Sequence, residues 1–451
     1  DIFPPHKPDH HLLGDRKIRY TPAYDVLSPL IRRVNVEDYV GLHVPAEYHA
    51  DTSELVQMLR KGHHGVVLDA ESWDRLVTWI DLNGPCYGTW GEVAPIPDAA
   101  DARRRQLALK YGGPKDDPEA IPQQPSGALA PRAGNAGAEE LASARRSVSS
   151  AVAPEPVQTA ALADWPLEPA SAKRRQQGAG VWEKTVELGS GVSLRMVRIP
   201  PGEFLMGDAS AAPDERPVTR VHIERPFWIS ACEITNQQYR LFEPEHFSGY
   251  FMKRSLSVDG PGVDLNQPQQ PVLRVSWQQA MEFCRWASAR TGLRFSLPTE
   301  AQWEYACRAG TGGPFSFGSL EADFGRYANM ADLSIGRYYT TTGGIPVLLP
   351  IPHDQRCDDG SLATARVGSY TPNAWGLCDM HGNAAEWTLS TYRPYPYREA
   401  DGRNTANPEG RKVVRGGSFC DRPARCRSSF RLDYPSWQRV HNVGFRVVCE
   451  D

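Results

Sequence analysis

The chain has 451 residues, 23% of them charged, and a formal net charge of −4. One ordinary hydrophobic core does not reach this length, so we expect two or three domains. The near-neutral charge gives no argument for nucleic acid or an anionic membrane as a partner, and no run of about 18 apolar residues predicts a membrane span. Because the chain starts at Asp1 rather than Met, we expect that upstream sequence is missing.

Composition divides the chain into three parts. Residues 1–112 carry helical patterns and predict a small helical domain. Residues 113–178 are rich in Pro, Ala, Ser and Gly, which predicts a linker that buries too little apolar surface to fold alone. Its end, AKRRQQ, predicts a helix that docks on the next domain. Aromatic residues and glycines return in residues 179–451, the main domain.

The N-terminal part contains two helical patterns. Leu55, Met58 and Leu59 share one face of the first pattern. Apolar residues recur from Trp73 to Ile80 at the spacing of a second helix. We therefore predict two amphipathic helices in this part of the chain.

Two adjacent histidines, His63 and His64, lie between these helices in the sequence GHHG. Histidines before a helix can supply an axial haem ligand, whereas the simpler interpretation is a solvated turn. The sequence contains no CxxCH haem-attachment motif, so we favour the turn and expect no haem.

The segment TSELVQMLRKGHHGVVLDAESWDRLVTWIDLNGPCYGTWGE resembles the C-terminal end of the cytochrome-c-like region of hydrazine-synthase-alpha-like proteins, over about residues 20–92. The resemblance implies a haem-less remnant of a cytochrome-like module and a periplasmic or secreted location. It also makes an accessory subunit of a haem redox complex one of the functional alternatives.

Capping boxes predict two helices in the main domain. Ser276 and Gln279 start one helix, which ends at Gly292, and Thr299 and Gln302 start the other. The remaining sequence has short apolar runs broken by Gly, Pro and Asn. These features predict a loop-rich α+β domain.

Two kinds of cysteine occur in the main domain. Cys284 and Cys307 fall on the apolar faces of the predicted helices, so we expect them in the core. Cys420 and Cys426 lie in the stretch RGGSFCDRPARCRSS. For this pair a disulfide, two unconnected thiols and a metal site are all possible.

Oxygen donors for a hard cation such as calcium occur in two stretches. GLCDMHGNAAEW offers Asp379, Asn383 and Glu386, and the segments RYANMAD and CDDGSLATARVG offer Asn329 and Asp359. Carboxylates near glycines are usually solvated turn residues, so spacing alone is a weak argument for a metal.

The motifs IPPGEFLMGDASAAPDERP, EITNQQY, PVLRVSW, LPTEAQWEYACRAGT, ANMAD, NAWGLCDMHGNAAEW, VVRGGSF and NVGFRVV resemble, in order and approximate spacing, those of the formylglycine-generating enzyme family. This sulfatase-modifying factor domain is shared with ergothioneine-synthesis and pyoverdine-maturation proteins. The resemblance covers nearly all of residues 182–450. It implies a variant of the C-type lectin fold, with little regular secondary structure, a small sheet, two long helices and calcium sites.

The same resemblance implies two sets of calcium ligands, in which Met330, Ser361, Gly382 and Ala384 act through backbone carbonyls. The positions that match the family's ligands are Asn329, Met330, Asp359 and Ser361 for one ion, and Asp379, Gly382, Ala384 and Glu386 for the other.

Family enzymes oxidise a cysteine in a Cys-x-Pro-x-Arg segment of a sulfatase, using Cu(I), oxygen and two cysteines placed third and eighth after GGS. Here the eighth position is Cys426, the third is Asp421, and Cys420 lies one place early. The resemblance implies Cys426, Cys420 and Ser418 as catalytic residues and the two cysteines as copper ligands. The family's central Trp in GNxWEW is Ala385 here, a second departure near the same site.

Three functions follow from these observations. The first is a copper-dependent oxidase of a peptide or protein cysteine. The second is a non-catalytic, lectin-fold domain that binds a ligand or a protein partner, and the third is the haem-complex accessory subunit. One further possibility is a basic cleft for an anionic or peptide ligand, formed by Arg415, Arg425, Arg427 and Arg431.

Overall fold

The structure is a computed structural model that describes residues 10–13, 16–19, 22–32, 48–85, 100–111, 162, 165–178, 180–251, 262–335 and 352–450. The chain divides into two compact units, residues 1–26 with 68–155 and residues 27–67 with 156–451. This grouping differs from the division drawn from composition, because residues 27–67 fall with the C-terminal unit. Most of the predicted linker, residues 113–161, lies outside the described residues.

The helices confirm most of the helical predictions. They are α1 (Pro22–Leu27), α2 (Glu54–Arg60), α3 (Ala70–Asp81), α4 (Ala100–Tyr111), α5 (Pro169–Gln177), α6 (Asn236–Tyr239), α7 (Trp277–Thr291) and α8 (Glu300–Arg308). No helix within the described ranges is long and apolar enough to cross a membrane.

Most strands are short. They are β1 (His10–Leu13), β2 (Arg16–Arg19), β3 (Glu183–Gly189), β4 (Val192–Ile199), β5 (Gly202–Met206), β6 (Thr219–Ile223), β7 (Phe227–Ser230), β8 (Tyr250–Phe251), β9 (Val263–Asp264), β10 (Arg294–Ser296), β11 (Ala385–Thr391), β12 (Arg411–Arg415), β13 (Arg431–Pro435), β14 (Val443–Phe445) and β15 (Val448–Glu450).

Two sheets organise the C-terminal unit. The first has the order β10-β15-β7-β4-β3 and is antiparallel throughout. The second has the order β13-β12-β11-β14, in which β14 runs parallel to β11. β5 pairs with β6, and β8 pairs with β9. Between these short strands the chain forms long loops, as predicted from the glycine and proline content.

Helices α7 and α8 begin at the predicted capping boxes. The Ser276 hydroxyl accepts a hydrogen bond from the Gln279 N–H at 3.2 Å, and the Gln279 side chain accepts one from the Ser276 N–H at 3.1 Å. Thr299 and Gln302 repeat the arrangement at the start of α8. Gly292 ends α7 with φ = 78°, a left-handed conformation that favours glycine.

Two hydrophobic clusters hold these helices against the sheets. One joins Trp277 and Cys284 of α7 to Trp387 of β11 and Phe445 of β14. The other joins α8, including Cys307, to β4, β5 and β7. Both cysteines are fully buried, which confirms their predicted place in the core.

Helix α5 docks on the C-terminal unit as predicted from AKRRQQ. Gln176 is buried, and its amide donates to the carbonyls of Arg198 and Trp375, both at 3.0 Å. The Trp375 indole in turn donates to the Ala172 carbonyl at 3.1 Å. The end of the predicted linker is therefore part of the folded unit.

The GHHG turn also behaves as predicted. His63 and His64 form a single 3₁₀ turn after α2, and both side chains are exposed. The favoured interpretation, a solvated turn, is therefore confirmed.

Candidate functional site

The loop after β12 carries the residues predicted to act on a substrate. Gly416 and Gly417 have φ of 93° and 65°, the left-handed region. A Cβ at Gly417 would lie 2.5 Å from the Cys426 Sγ. Glycine is therefore required for the loop to fold back on Cys426.

Cys426 is fully buried. Its Sγ lies 3.7 Å from the Asp421 carbonyl oxygen and 4.0 Å from that of Ser418. Burial raises the pKa of the Cys426 thiol well above its ordinary value. Burial therefore disfavours the thiolate form of this sulfur.

Cys420 lies in different surroundings. Its Sγ is 3.3 Å from the Ser418 hydroxyl, 3.5 Å from the Asn442 amide nitrogen and 3.8 Å from His441 Nε2. Burial raises the pKa of the Cys420 thiol to about 12. Both Cys420 and Cys426 are free, so the structure does not join them in a disulfide.

Asp421 takes the third position after GGS, where the family has a thiolate. One carboxylate oxygen accepts from the Ser418 N–H at 3.1 Å and from the Ser418 hydroxyl at 2.6 Å. The other accepts from Arg425 Nε at 2.7 Å. A hard carboxylate neutralised by arginine is a poor partner for soft Cu(I), so this loop does not fit the family's two-thiolate copper site.

Helix α2 lies against this loop. The Gln57 amide nitrogen donates to the Tyr434 hydroxyl at 2.9 Å, and the Gln57 carbonyl oxygen accepts from the Arg425 guanidinium. Glu54 forms an ion pair with Arg422. The helix that follows residue 53 is thus anchored to residues 422–434 by polar contacts.

Further polar contacts lie on either side of α2. Buried Asp51 accepts from the Gln438 amide at 3.0 Å and from Arg411 at 3.4 Å. Burial raises the pKa of Asp51, but hydrogen bonds from His49 and Gln438 and the charge of Arg411 outweigh it and hold the pKa at about 2. Beyond α2, Lys61 contacts an oxygen of Asp214 at 2.6 Å.

The predicted basic cleft does not form. Its four arginines are largely buried, and each pairs with a buried carboxylate. The pairs are Arg415 with Glu304, Arg425 with Asp421, Arg427 with Glu215, and Arg431 with Glu300. The guanidinium groups are therefore structural charges and do not present a surface to a ligand.

The predicted calcium ligands Asp379 and Glu386 have different partners. The Glu386 carboxylate accepts from Trp303 Nε1 at 2.7 Å and from Arg446 at 2.6 and 2.7 Å. Asp379 is buried, and its Oδ1 has no hydrogen-bond partner among the described residues. Glu386 is thus occupied by its ion pair, whereas Asp379 has an oxygen available.

A second carboxylate near Asp379 comes from Glu233, which sequence reasoning missed. Glu233 is buried, and its Oε2 likewise has no hydrogen-bond partner in the described part of the chain. Burial and the charge of Asp379 raise the pKa of Glu233 well above its ordinary value, and burial raises that of Asp379 to about 6. Two such carboxylates side by side require a cation or a proton between them. Gly382 and Ala384, the predicted carbonyl ligands, lie in the same loop as Asp379, and this loop leads into β11.

The other predicted calcium set is brought together. Asp359 accepts from the N–H groups of Met330 and Ser361, both at 2.8 Å. Burial and the neighbouring Asp332 raise the pKa of Asp359 to about 7. Asn329 is buried, and its Oδ1 has no hydrogen-bond partner among the described residues. An unpartnered amide oxygen beside a desolvated carboxylate fits a hard cation.

No cluster of three or more His, Cys, Asp or Glu side chains suited to a metal occurs in the described residues. Any calcium site here therefore depends on amide and backbone oxygens as well as carboxylates, as in the two sets above.

A cavity of about 230 Å³ lies near the cysteine loop and is lined by Phe317, Tyr327, Asn373, Asp379 and His381, among others. The rings of Phe317 and Tyr327 stack with their centroids 4.9 Å apart. His381 Nδ1 lies 2.8 Å from the Cys426 carbonyl oxygen. His381 thus lines the cavity and also contacts the cysteine loop.

Sequence reasoning missed the contacts of α2. The polar residues Glu54, Gln57 and Lys61 recur at i, i+3 and i+7, which places them on one face of the helix. Only the apolar face was considered when the helix was predicted. The spacing of these polar residues was the sequence feature that could have indicated a second buried face of α2.

A loop-rich α+β domain with two capped helices and a GGS loop after a sheet strand is the class of protein that this fold and site define. The profile of the sulfatase-modifying factor enzyme 1-like domain matches residues 190–451. The chain belongs to this family, and the predicted formylglycine-generating-enzyme fold is confirmed.

Several known proteins are similar to this chain. The formylglycine-generating enzyme of Streptomyces coelicolor is 32% identical over 56% of this chain and 88% of its own length. The inactive C-alpha-formylglycine-generating enzyme 2 of Bos taurus is 28% identical over 60% of this chain and 92% of its own. The solved structure of PvdO from Pseudomonas aeruginosa matches with a TM-score of 0.47 and 27% identity, covering 60% of this chain and 99% of that one.

Proposed function

We propose that this chain is a formylglycine-generating-enzyme-like protein that does not oxidise cysteine. Its GGS loop instead serves as a scaffold that binds the chain's own residues 48–61. The observation that carries this proposal is Asp421 at the position of the family's first copper thiolate, in an ion pair with Arg425.

The Asp421 carboxylate holds Arg425 in place, and Arg425 reaches the Gln57 side chain of α2. Hydrogen bonds to charged groups each contribute about 1.5–3 kcal/mol. The change from thiolate to carboxylate therefore removes a copper ligand and supplies an anchor for α2.

Two similar proteins support a non-oxidising member. Proteins of Bos taurus and Mus musculus, 28% and 27% identical to this chain, bear the name inactive C-alpha-formylglycine-generating enzyme 2. Family membership by itself therefore does not carry the chemistry.

The alternative is the copper-dependent oxidase of a peptide or protein cysteine. It is favoured by Cys426, which keeps the family's eighth position, and it requires Cys420, Cys426 and Ser418 to act on the substrate. Asp421, in an ion pair with Arg425, takes the position of the family's other thiolate, which argues against it.

Hydrogen–deuterium exchange of residues 48–61 tests the scaffold. In Asp421→Asn the peptide should exchange faster than in the natural protein, because Arg425 loses its charged partner. Glu321→Gln, which alters an exposed ion pair, serves as the control. Unchanged exchange of residues 48–61 in Asp421→Asn would show that the loop does not hold α2.

We propose calcium as the structural cation of the family sites. Asn329 and Asp359, with the carbonyls of Met330 and Ser361, would hold one ion. Asp379, with the carbonyls of Gly382 and Ala384 and with Glu233 in place of Glu386, would hold the other. Calcium supplies positive charge that stabilises buried oxygens in loops with little regular structure.

A periplasmic or secreted location, and the cytochrome-like origin of residues 20–92, stay predictions from the N-terminal resemblance. Fractionation of the native host, followed by immunodetection, would test the location.

The two interpretations differ in the partner that they require. In the non-oxidising interpretation the partner is a protein. In the oxidase alternative a peptide or protein substrate takes that place.

A further inference from the structure

Cys232 and Cys378 form a second thiol pair, far from Cys420 and Cys426 in the sequence. Cys232 follows β7 and is half-buried, and Cys378 lies in the loop before β11 and is 5% exposed. The Cys378 N–H donates to the Ala231 carbonyl at 2.8 Å. The two chain segments therefore run side by side where they carry the cysteines.

The two sulfurs face each other. A Cβ placed on Gly368 would lie 3.5 Å from the Cys232 Sγ and 3.9 Å from the Cys378 Sγ. Gly368 has φ = 74°, so both its conformation and this close approach favour glycine. The two thiols are also in hydrogen-bonding contact with each other.

An arginine lies beside the pair. Arg195 of β4 places a guanidinium nitrogen 3.8 Å from the Cys378 Sγ. The pair therefore lies beside a positively charged side chain. Both cysteines are free in the structure, so the pair is present as two thiols.

We propose that Cys232 and Cys378 are the site of a disulfide, formed by exchange with a small-molecule disulfide such as glutathione disulfide. The Cys232 sulfur, which is the more exposed, attacks one sulfur of glutathione disulfide and releases one glutathione thiol. The Cys378 sulfur then attacks the Cys232 sulfur of the mixed disulfide, and the second glutathione leaves. The two cysteine protons pass to the two glutathione thiols, which together take up the two electrons.

The bond would bear on the cation site described above. Cys232 directly precedes Glu233, and Cys378 directly precedes Asp379, the two buried carboxylates with unpartnered oxygens. A covalent link one residue before each would fix their separation. The disulfide would also close a loop of well over 100 residues, the range in which cross-links restrict the unfolded chain most.

Peptide mapping of the full-length protein tests the proposal. The chain is incubated with glutathione disulfide, its free thiols are alkylated, and it is digested with trypsin without reduction. Cleavage after arginine, except before proline, places Cys232 in residues 221–240 and Cys378 in residues 367–398, with no other cysteine in either peptide. We expect one cross-linked species of these two peptides, absent after reduction, and a loss of two free thiols.

The same map reports on the other pair. A disulfide between Cys420 and Cys426 would instead join residues 416–425 to residues 426–427. Recovery of residues 221–240 and 367–398 as separate alkylated peptides would overturn the proposal, and so would a link from either one to a different cysteine.

Melting with and without glutathione disulfide gives a second readout. The natural protein should melt at a higher temperature after oxidation, whereas Cys232→Ala/Cys378→Ala should not respond. An equal rise in the double variant would assign the stabilisation to other cysteines and overturn the proposal. Neither readout depends on whether Asp421 anchors α2.

Discussion

Glu386 is a residue whose role differs between the family's pattern and this structure. The resemblance implied a calcium ligand, whereas both carboxylate oxygens accept hydrogen bonds from Arg446 and one also accepts from Trp303. The two side chains are fully buried, and removing one partner of a buried pair leaves an uncompensated charge.

Glu386→Gln should lower the free energy of unfolding by about 3–5 kcal/mol, because Arg446 stays buried without its partner. Urea denaturation with calcium and with a chelator should give the same loss. Glu321→Gln, in an exposed pair, should cost less than about 1 kcal/mol. A loss for Glu386→Gln that appears only with calcium would identify Glu386 as a ligand after all.

Asp51 makes docking of the N-terminal segment dependent on pH. Its pKa is lowered from 3.8 to about 2, so its stabilising contribution is complete above about pH 4 and is lost as the pH falls from about 4 to about 2. The contribution is about 2 kcal/mol.

Asp51→Asn should therefore destabilise the protein at both about pH 7 and about pH 5, and by less at about pH 3. Urea denaturation at the three values measures the difference. A difference that already shrinks between pH 7 and pH 5 would mean that the pKa of Asp51 is raised, in conflict with its partners.

At the scale of elements, local patterns predicted local structure. The capping boxes at Ser276 and Thr299 act over three residues, so the starts of α7 and α8 were readable from the sequence. Cys284 and Cys307 followed from the same helical spacing. These predictions held because no distant residue decides them.

The docking of α2 could not be read in this way. Gln57 meets Tyr434 and Arg425 across more than 360 residues of chain. A polar face at helical spacing is compatible with solvent and with a buried interface alike. The other three arginines, Arg415, Arg427 and Arg431, pair with buried carboxylates more than 100 residues away, which is why the prediction of a basic cleft was wrong.

Gln57→Ala should expose the end of α2. The buried amide makes hydrogen bonds to Tyr434, Arg425 and the Asp51 carbonyl, and losing such bonds costs about 1–3 kcal/mol. Limited trypsin digestion should cleave after Arg60 and Lys61 on the order of tenfold faster. Cleavage after Arg75, an exposed residue of α3, is the internal control. Equal acceleration at both places would indicate global loosening rather than release of α2.

For the whole molecule, the sequence motifs predicted the family and the α+β fold, but they left the chemistry open. Most departures from the family pattern fall in one loop, where Asp421 replaces a thiol and Cys420 is displaced by one residue. The structural effect of those departures depends on Arg425 and on residues 48–61, and the motifs contain neither. Composition likewise placed residues 27–67 with the N-terminal part, although they group with the C-terminal unit.

Calcium should stabilise the whole C-terminal unit if Asp359 binds it. A ligand that binds only the folded state raises the melting temperature with its concentration. We expect this rise for the natural protein and its loss in Asp359→Asn, with Glu321→Gln behaving as the natural protein does. A calcium-dependent rise that survives in Asp359→Asn would exclude the Asn329 and Asp359 set.

The most direct test of the central claim is turnover of a Cys-x-Pro-x-Arg peptide by the purified protein with Cu(I) and oxygen. Conversion of the peptide cysteine to an aldehyde is read by mass, with Cys426→Ser as the matched control. We predict no aldehyde above the Cys426→Ser level, since Asp421, in an ion pair with Arg425, takes the position of the missing thiolate. Aldehyde that forms with the natural protein and disappears in Cys426→Ser would contradict the account and establish an oxidase.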